Sequence, residues 1–265
     1  MEVAITPLTG SIGALVEGVH LGGHLDESVV KALMDAFHQY CTLVFREQYL
    51  SPEAHVRFAR YWGEPVVTKM LTPMAAHPEV VQIANVGKEK TSTEAWHYDA
   101  PFVEVPPKIS ILSAITVPNG GDTMWSNQYL ALESLSPAFQ QWLTGLRVHF
   151  RGLRLSRMMG VPEAEIPHAV HPLVRTHPET GRKALYVAHS DNVVCIEGWT
   201  PEESRPLMDY LYAVSQTPDH VYRHMWLAGD IVMWDNRCTM HYAVHDHGSQ
   251  IRVLNRVTLR GEAPA

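Results

Sequence analysis

Two hydrophobic periods run along this chain. At helical spacing, residues 27–40 place Val29, Leu33, Phe37 and Tyr40 on one face, with Asp26 in position to cap, which predicts a helix. Ser51-Pro52-Glu53 predicts the start of a second, with Ser as cap, Pro at the first helical position and Gly63 ending it. Further helices are predicted over 127–135, 137–146 and 201–216, the last entered through Thr200-Pro201-Glu202-Glu203. Between them, short turn-bounded runs rich in β-branched residues predict strands at 42–45, 80–83, 109–117, 170–174, 185–187, 221–226, 231–234 and 253–259. These runs mostly do not alternate with helices one by one. The fold class expected is therefore mainly β with flanking helices (α+β), an antiparallel sandwich or barrel. Residues 64–93 form a long, only partly regular connection of the kind that serves as an active-site lid. No repeat or low-complexity linker divides the chain, so residues 1–265 are read as one domain.

Composition narrows the possibilities. With 265 residues, 46% hydrophobic and 18% charged, the chain can bury a large core and does not read as disordered. A net charge of −7 without a Lys/Arg block excludes a nucleic-acid surface. No apolar run approaches the roughly 18 residues of a membrane span, and MEVAITPLTG lacks a basic region followed by an apolar stretch, so a cytoplasmic protein is expected. Cys41, Cys195 and Cys238 are odd in number and widely spaced, which argues against a disulfide framework and a cysteine-based zinc site. The 16 histidines direct a search for metal chemistry to imidazole and carboxylate.

In a strand, residues two apart face the same way, so His97 and Asp99 of Trp96-His97-Tyr98-Asp99 can offer an imidazole and a carboxylate to one ion. His189-Ser190-Asp191 has the same spacing, and spacing alone leaves each pair as ligands or as filler. The context differs. A β run ending at Trp234 leads through Asp235-Asn236-Arg237-Cys238 to His241, which would complete a two-His-one-carboxylate face with three open positions, the arrangement of Fe(II) oxygenases. Beyond it stand Arg252 and Arg256, four apart in a β run and hence on one face, able to meet two anionic groups or to form surface salt bridges.

The ordered set Trp96-His97-x-Asp99, Pro106-Pro107, Gly120-Gly121-Asp122-Thr123-x-Trp125, Trp234-Asp235-Asn236-Arg237, His241-Tyr242-Ala243 and Arg252-x-x-x-Arg256 resembles the taurine dioxygenase (TauD/TfdA) family of Fe(II)- and 2-oxoglutarate-dependent oxygenases, over nearly the whole chain. The resemblance implies a double-stranded β-helix (jelly-roll) core. It implies that His97, Asp99 and His241 are the catalytic iron ligands, and that Thr123 and Arg252 hold the distal carboxylate of 2-oxoglutarate. With O2 as second cosubstrate, a substrate C–H bond would be oxidised, most simply hydroxylated, with release of succinate and CO2. His189-Ser190-Asp191 falls outside the pattern and is rejected as a metal site. Because Asp99 is present, halogenation is disfavoured.

By the same resemblance Arg256 receives the substrate's anionic group. Other substrate positions depart from the taurine enzymes: Thr68 and Leu71 stand where those carry His and Tyr, Thr93 where they carry Asn, and Asp191 where they carry Phe. With Lys69-Met70-Leu71 and Met74 in the lid, a small anion with an apolar body, such as a carboxylate-bearing aromatic or aliphatic compound, is expected instead of taurine. Tyr98 is expected to be packing, and His245 and His247 to lie outside the ligand set. The partner expected is a small molecule, without nucleic acid or membrane, and family members suggest a homodimer or homotetramer. Alternatives are desaturation, cyclisation or decarboxylation in a biosynthetic pathway, a Zn(II) hydrolase at the same triad, and a non-catalytic anion-binding jelly roll.

Overall fold

The computed structural model describes residues 3–67, 72–85, 94–189 and 192–265. Its main sheet has seven strands in the order Ala4–Pro7, Ala14–Glu17, Thr42–Phe45, Ile231–Asp235, Ile109–Thr116, Arg252–Leu259 and Val80–Asn85. All neighbours are antiparallel except Ala14–Glu17 with Thr42–Phe45. A second sheet, Val221–His224, Thr123–Asn127 and Thr239–Ala243, has an inner face that packs against it. The two-residue period sorts side chains between layers: Ile231 and Met233 join the outer core, whereas Val232 and Trp234 join the inter-sheet core with Leu112, Leu254, Trp125 and Trp226.

The outer core is roofed by helices Glu27–Tyr40, through Leu33, Ala36 and Phe37, and Pro52–Ala59, through Ala54, Val56, Phe58 and Ala59. Ser51 caps the second helix as expected, accepting from the Ala54 amide. Asp26 occupies the cap position of the first, but its side chain makes no capping hydrogen bond. Helix Pro201–Val214 opens with a full capping box between Thr200 and Glu203. It packs Met208 and Leu211 into a third cluster with Val148, Phe150 and Leu185. The helices expected over 127–135 and 137–146 are Gln128–Glu133 and Pro137–Leu143. Within the excursion at 64–93, Val80–Asn85 is an edge strand on Arg252–Leu259. The lid residues 68–71 and 86–93 lie outside the described residues.

One core residue ties stability to pH. His55 is buried under the main sheet, and desolvation lowers its pKa to about 4. A histidine with a folded pKa below its unfolded value binds fewer protons when native, so its contribution is complete above pH ~6.5 and is lost as pH falls toward 4. Replacing His55 with Met is expected to flatten the stability-versus-pH curve over that interval by about 3 kcal/mol at most, measured by urea unfolding at stepped pH.

Candidate metal centre and anion pocket

His97 and His241 face each other directly across an antiparallel bridge. Each donates its backbone N–H to the other's carbonyl, at 3.0 and 2.9 Å, and their ring centroids lie 4.1 Å apart. Paired residues project to the same face, and Asp99, two positions beyond His97, joins them. Ligand atoms of His97, Asp99 and His241 all lie within 4.8 Å of one another, and this is the one such three-residue set among the described residues. His241 Nε2 stands 3.7 Å from Asp99 Oδ1, too far for a hydrogen bond and suited to two atoms sharing an ion. His97 Nδ1 lies 2.7 Å from the Ala95 carbonyl, which fixes the tautomer and leaves Nε2 as the lone-pair nitrogen.

The charge states suit a metal. Burial, reinforced by His97, holds His241 well below the usual histidine range and keeps it neutral. Burial alone would raise the Asp99 carboxyl, but Arg256, His241, His97 and a hydrogen bond from Ser110 together hold it well below the usual range. Two imidazoles and an ionised carboxylate on one face are a donor set for Fe(II), with open positions opposite.

The loop from Asp235 to Cys238 delivers His241. Asp235 accepts from Arg237 through Nε at 2.8 Å and Nη2 at 2.7 Å, and His177 Nε2 lies 3.0 Å away. Thr239 donates to the Asp235 carbonyl at 2.8 Å. This buried knot pins the turn between the Ile231–Asp235 and Thr239–Ala243 strands.

Next along the same face stand Thr123 and Arg252. Thr123 pairs with Ala243, and Trp125 with His241, so Thr123 lies diagonally across from His241 on the sheet. Arg252 donates through Nε to the Gly121 carbonyl at 2.8 Å and through Nη2 to Thr123 Oγ1 at 3.2 Å. Gly121, at φ +71°, is required here: a Cβ would come within 2.9 Å of Arg252 Cδ and of His247 Cδ2. Arg252 is buried, yet among the described residues it has no carboxylate within ion-pair distance, and desolvation, against a weaker opposing pull from Asp122, lowers its pKa to about 10. A buried cation without an acid is costly unless an anion arrives, and a guanidinium fork fits a carboxylate.

Arg256 lies on the other side of Asp99, its Nη2 in an ion pair with Asp99 Oδ2 at 2.6 Å; it donates through Nη2 to Ser110 Oγ at 3.0 Å and through Nε to Thr258 at 3.0 Å. Among the described residues its Nη1 has no hydrogen-bond partner. Thr68, Leu71, Thr93 and Asp191 lie outside the described residues. Tyr98 packs on Tyr186, His245 Nδ1 is 3.1 Å from Glu94, and buried His247 meets the Gln250 carbonyl. None joins the triad.

Sequence reasoning missed Ser110, Asn236 and Trp226. A serine whose same-face neighbours Leu112 and Ala114 are apolar was the available signal for Ser110, and the strand's second buried serine, Ser113, faces the other way.

The chain matches the family described as taurine catabolism dioxygenase TauD, TfdA family over residues 4–258. It belongs to that family. As a TauD/TfdA member it is a dioxygenase, an oxidoreductase. It is 34% identical over 276 residues to an alkylsulfatase of Acinetobacter baylyi, covering 98% of this chain and 86% of that protein. It is 33% identical over 279 residues to an alpha-ketoglutarate-dependent sulfate ester dioxygenase of Pseudomonas putida, covering 100% and 91%. The crystal structure of a taurine dioxygenase from Burkholderia xenovorans superposes with a TM-score of 0.88 at 36% identity, covering 100% of this chain and 93% of that one. The TauD/TfdA likeness bears out the jelly-roll core. No helix among the described residues is long and apolar enough to cross a membrane.

Proposed function

We propose that this TauD/TfdA protein is an Fe(II)- and 2-oxoglutarate-dependent dioxygenase that hydroxylates a C–H bond of a small organic anion with an apolar body. The observation that carries the reading is the convergence of His97, Asp99 and His241 on the face where Arg252, among the described residues, lies buried without an ion-paired acid. Fe(II), when bound, supplies O2 activation coupled to decarboxylation of 2-oxoglutarate, so that one oxygen atom goes to the substrate and one to succinate, with release of CO2.

The residues divide the remaining work. His97, Asp99 and His241 hold the metal. Arg252 and Thr123 bind the distal carboxylate and so orient the keto-acid end. Thr123 Oγ1 already accepts from Arg252 Nη2 and from Trp226 Nε1 at 3.0 Å, which leaves its proton for the carboxylate. Removing the Trp226 donor frees that hydroxyl to turn. Trp226→Phe is therefore expected to raise the 2-oxoglutarate concentration for half-maximal turnover roughly threefold to tenfold, one neutral hydrogen bond's worth, at unchanged maximal rate.

Arg256 presents its free Nη1 donors to the substrate's anionic head. Relatives named for alkylsulfate and sulfate ester chemistry support a substrate of anionic head and apolar tail. The roles of Thr68, Leu71, Thr93 and Asp191 as substrate contacts rest on the family resemblance. Anaerobic addition of Fe(II) and 2-oxoglutarate should produce a weak visible charge-transfer absorption, and its absence would sink the oxygenase reading. Succinate release screened across sulfonates, alkyl sulfates, aryloxyalkanoates and amino-acid derivatives identifies the substrate class. Turnover that continues without O2 would point to a hydrolase instead.

A further inference from the structure

We infer that Ser110, set by Asn236 and Trp234, is a positioning residue that ties down one oxygen of Asp99 so that only the other faces the metal. The inference rests on the proposed ligand role of Asp99. Ser110 lies near the start of the Ile109–Thr116 strand, wholly buried, between Ile109 and Ile111 that point to the outer core. Leu112 and Ala114, its inward-facing neighbours, are apolar. A hydroxyl at such a position is unfavourable unless its hydrogen bonds are made. Here they are made in full.

The direction of every proton in this chain of contacts follows from a group that can only donate. Trp234 Nε1 carries a hydrogen and no lone pair, so Asn236 Oδ1, 2.9 Å away, must be the acceptor. That orientation turns the Asn236 amide nitrogen toward Ser110 Oγ, to which it donates at 3.1 Å. Ser110 Oγ also accepts from Arg256 Nη2 at 3.0 Å. With both lone pairs engaged, the single hydroxyl proton goes to Asp99 Oδ2, 2.8 Å away. Arg256 Nη2 meets the same oxygen at 2.6 Å. Oδ2 is thus held by the Ser110 hydroxyl and the Arg256 charge, and it is Oδ1 that faces His241 Nε2.

The consequence concerns coordination number. A carboxylate free to swing can chelate through both oxygens and would occupy one of the positions opposite the triad. Held at Oδ2, Asp99 would offer a metal one oxygen rather than two. Arg256 supplies charge to this arrangement, whereas Ser110 supplies direction, because its proton has nowhere else to go.

The test is Mn(II) binding by the full-length metal-free protein, followed by the loss of the free Mn(II) electron paramagnetic resonance signal. Ser110→Ala is expected to bind Mn(II) about tenfold more weakly, in the range that outer partners of metal ligands are worth, and Ser110→Thr to restore binding. Trp234→Phe removes the indole N–H, and with it the five-membered ring, so Asn236 can turn. It is expected to weaken binding about threefold and decides the matter if Ser110→Ala does not fold. Wild-type Mn(II) affinity in folded Ser110→Ala and in Trp234→Phe, with Asp99→Ala inert, would overturn the positioning role and leave the ligand assignment standing. Mn(II) binding retained in Asp99→Ala would instead overturn the ligand assignment.

Discussion

Asp99→Ala is expected to abolish succinate release at any concentration of substrate or 2-oxoglutarate. The loss should exceed the roughly 10–100-fold that a residue merely supporting a metal ligand is worth, because one of three protein donors is gone. Two electrostatic effects act together. On the proposed ligand set, the metal would lose its one anionic ligand among the described residues, and Arg256, whose Nη2 would lack the carboxylate at 2.6 Å, would add an unscreened positive charge beside the site. Removing one partner of a buried pair also destabilises the fold, so loss of activity needs separating from loss of structure. Asp99→Asn makes that separation. It preserves shape and can still accept from Ser110, yet it removes the charge, and the same collapse of activity is expected with a smaller fall in the thermal midpoint of the metal-free protein than Asp99→Ala shows. Activity within a few-fold of wild type in Asp99→Asn would show that the carboxylate charge is not used.

Much of this site was legible in the sequence because extended backbone follows a period of two, even where, as at His97, it makes only an isolated bridge. His97 and Asp99 were readable as a same-face pair, and Arg252 and Arg256 both reach inward as their spacing suggested. His189-Ser190-Asp191 has equal spacing, and nothing in the dipeptide separates the two. The separation lies in a bridge between residues 97 and 241, far apart in the chain, which no local pattern encodes. That ordering came from the family resemblance.

The strands that escaped notice did so for a physical reason. Thr123–Asn127 and Thr239–Ala243 turn Thr123 and His241 toward a polar interior, so the alternation that marks a strand is broken where the chemistry sits. In Arg147–Arg151 the pattern was present, with Val148 and Phe150 buried, but the Arg, His and Arg between them obscured it. Ser110 and Trp226 make hydrogen bonds to residues distant in the chain or on another strand, Asp99 and Thr123, and such pairs appear only once the fold is known.

Arg252→Ala separates binding from chemistry. The guanidinium touches Thr123 and the Gly121 carbonyl, and a carboxylate seated there is remote from the keto-acid end that reacts. Truncating one side of a buried, hydrogen-bonded charge pair is worth about 2–5 kcal/mol, so the KM for 2-oxoglutarate should rise roughly thirtyfold to several-thousandfold. Because the interaction is made equally in the ground and transition states, kcat at saturating cosubstrate should change little. Arg252→Lys keeps a charge without the planar fork and should fall between the two. The ligand-free protein should respond in the opposite sense. Its Arg252 is a buried cation with no ion-paired acid among the described residues, so removing it relieves a desolvation penalty and should leave the thermal midpoint unchanged or raised. The stabilisation that 2-oxoglutarate confers on the wild type by binding only the native state should disappear at the same ligand concentration. A structural arginine would give the reverse pattern, with a lowered midpoint and an unchanged KM, and steady-state kinetics beside a thermal melt, each run with and without 2-oxoglutarate, distinguishes the two.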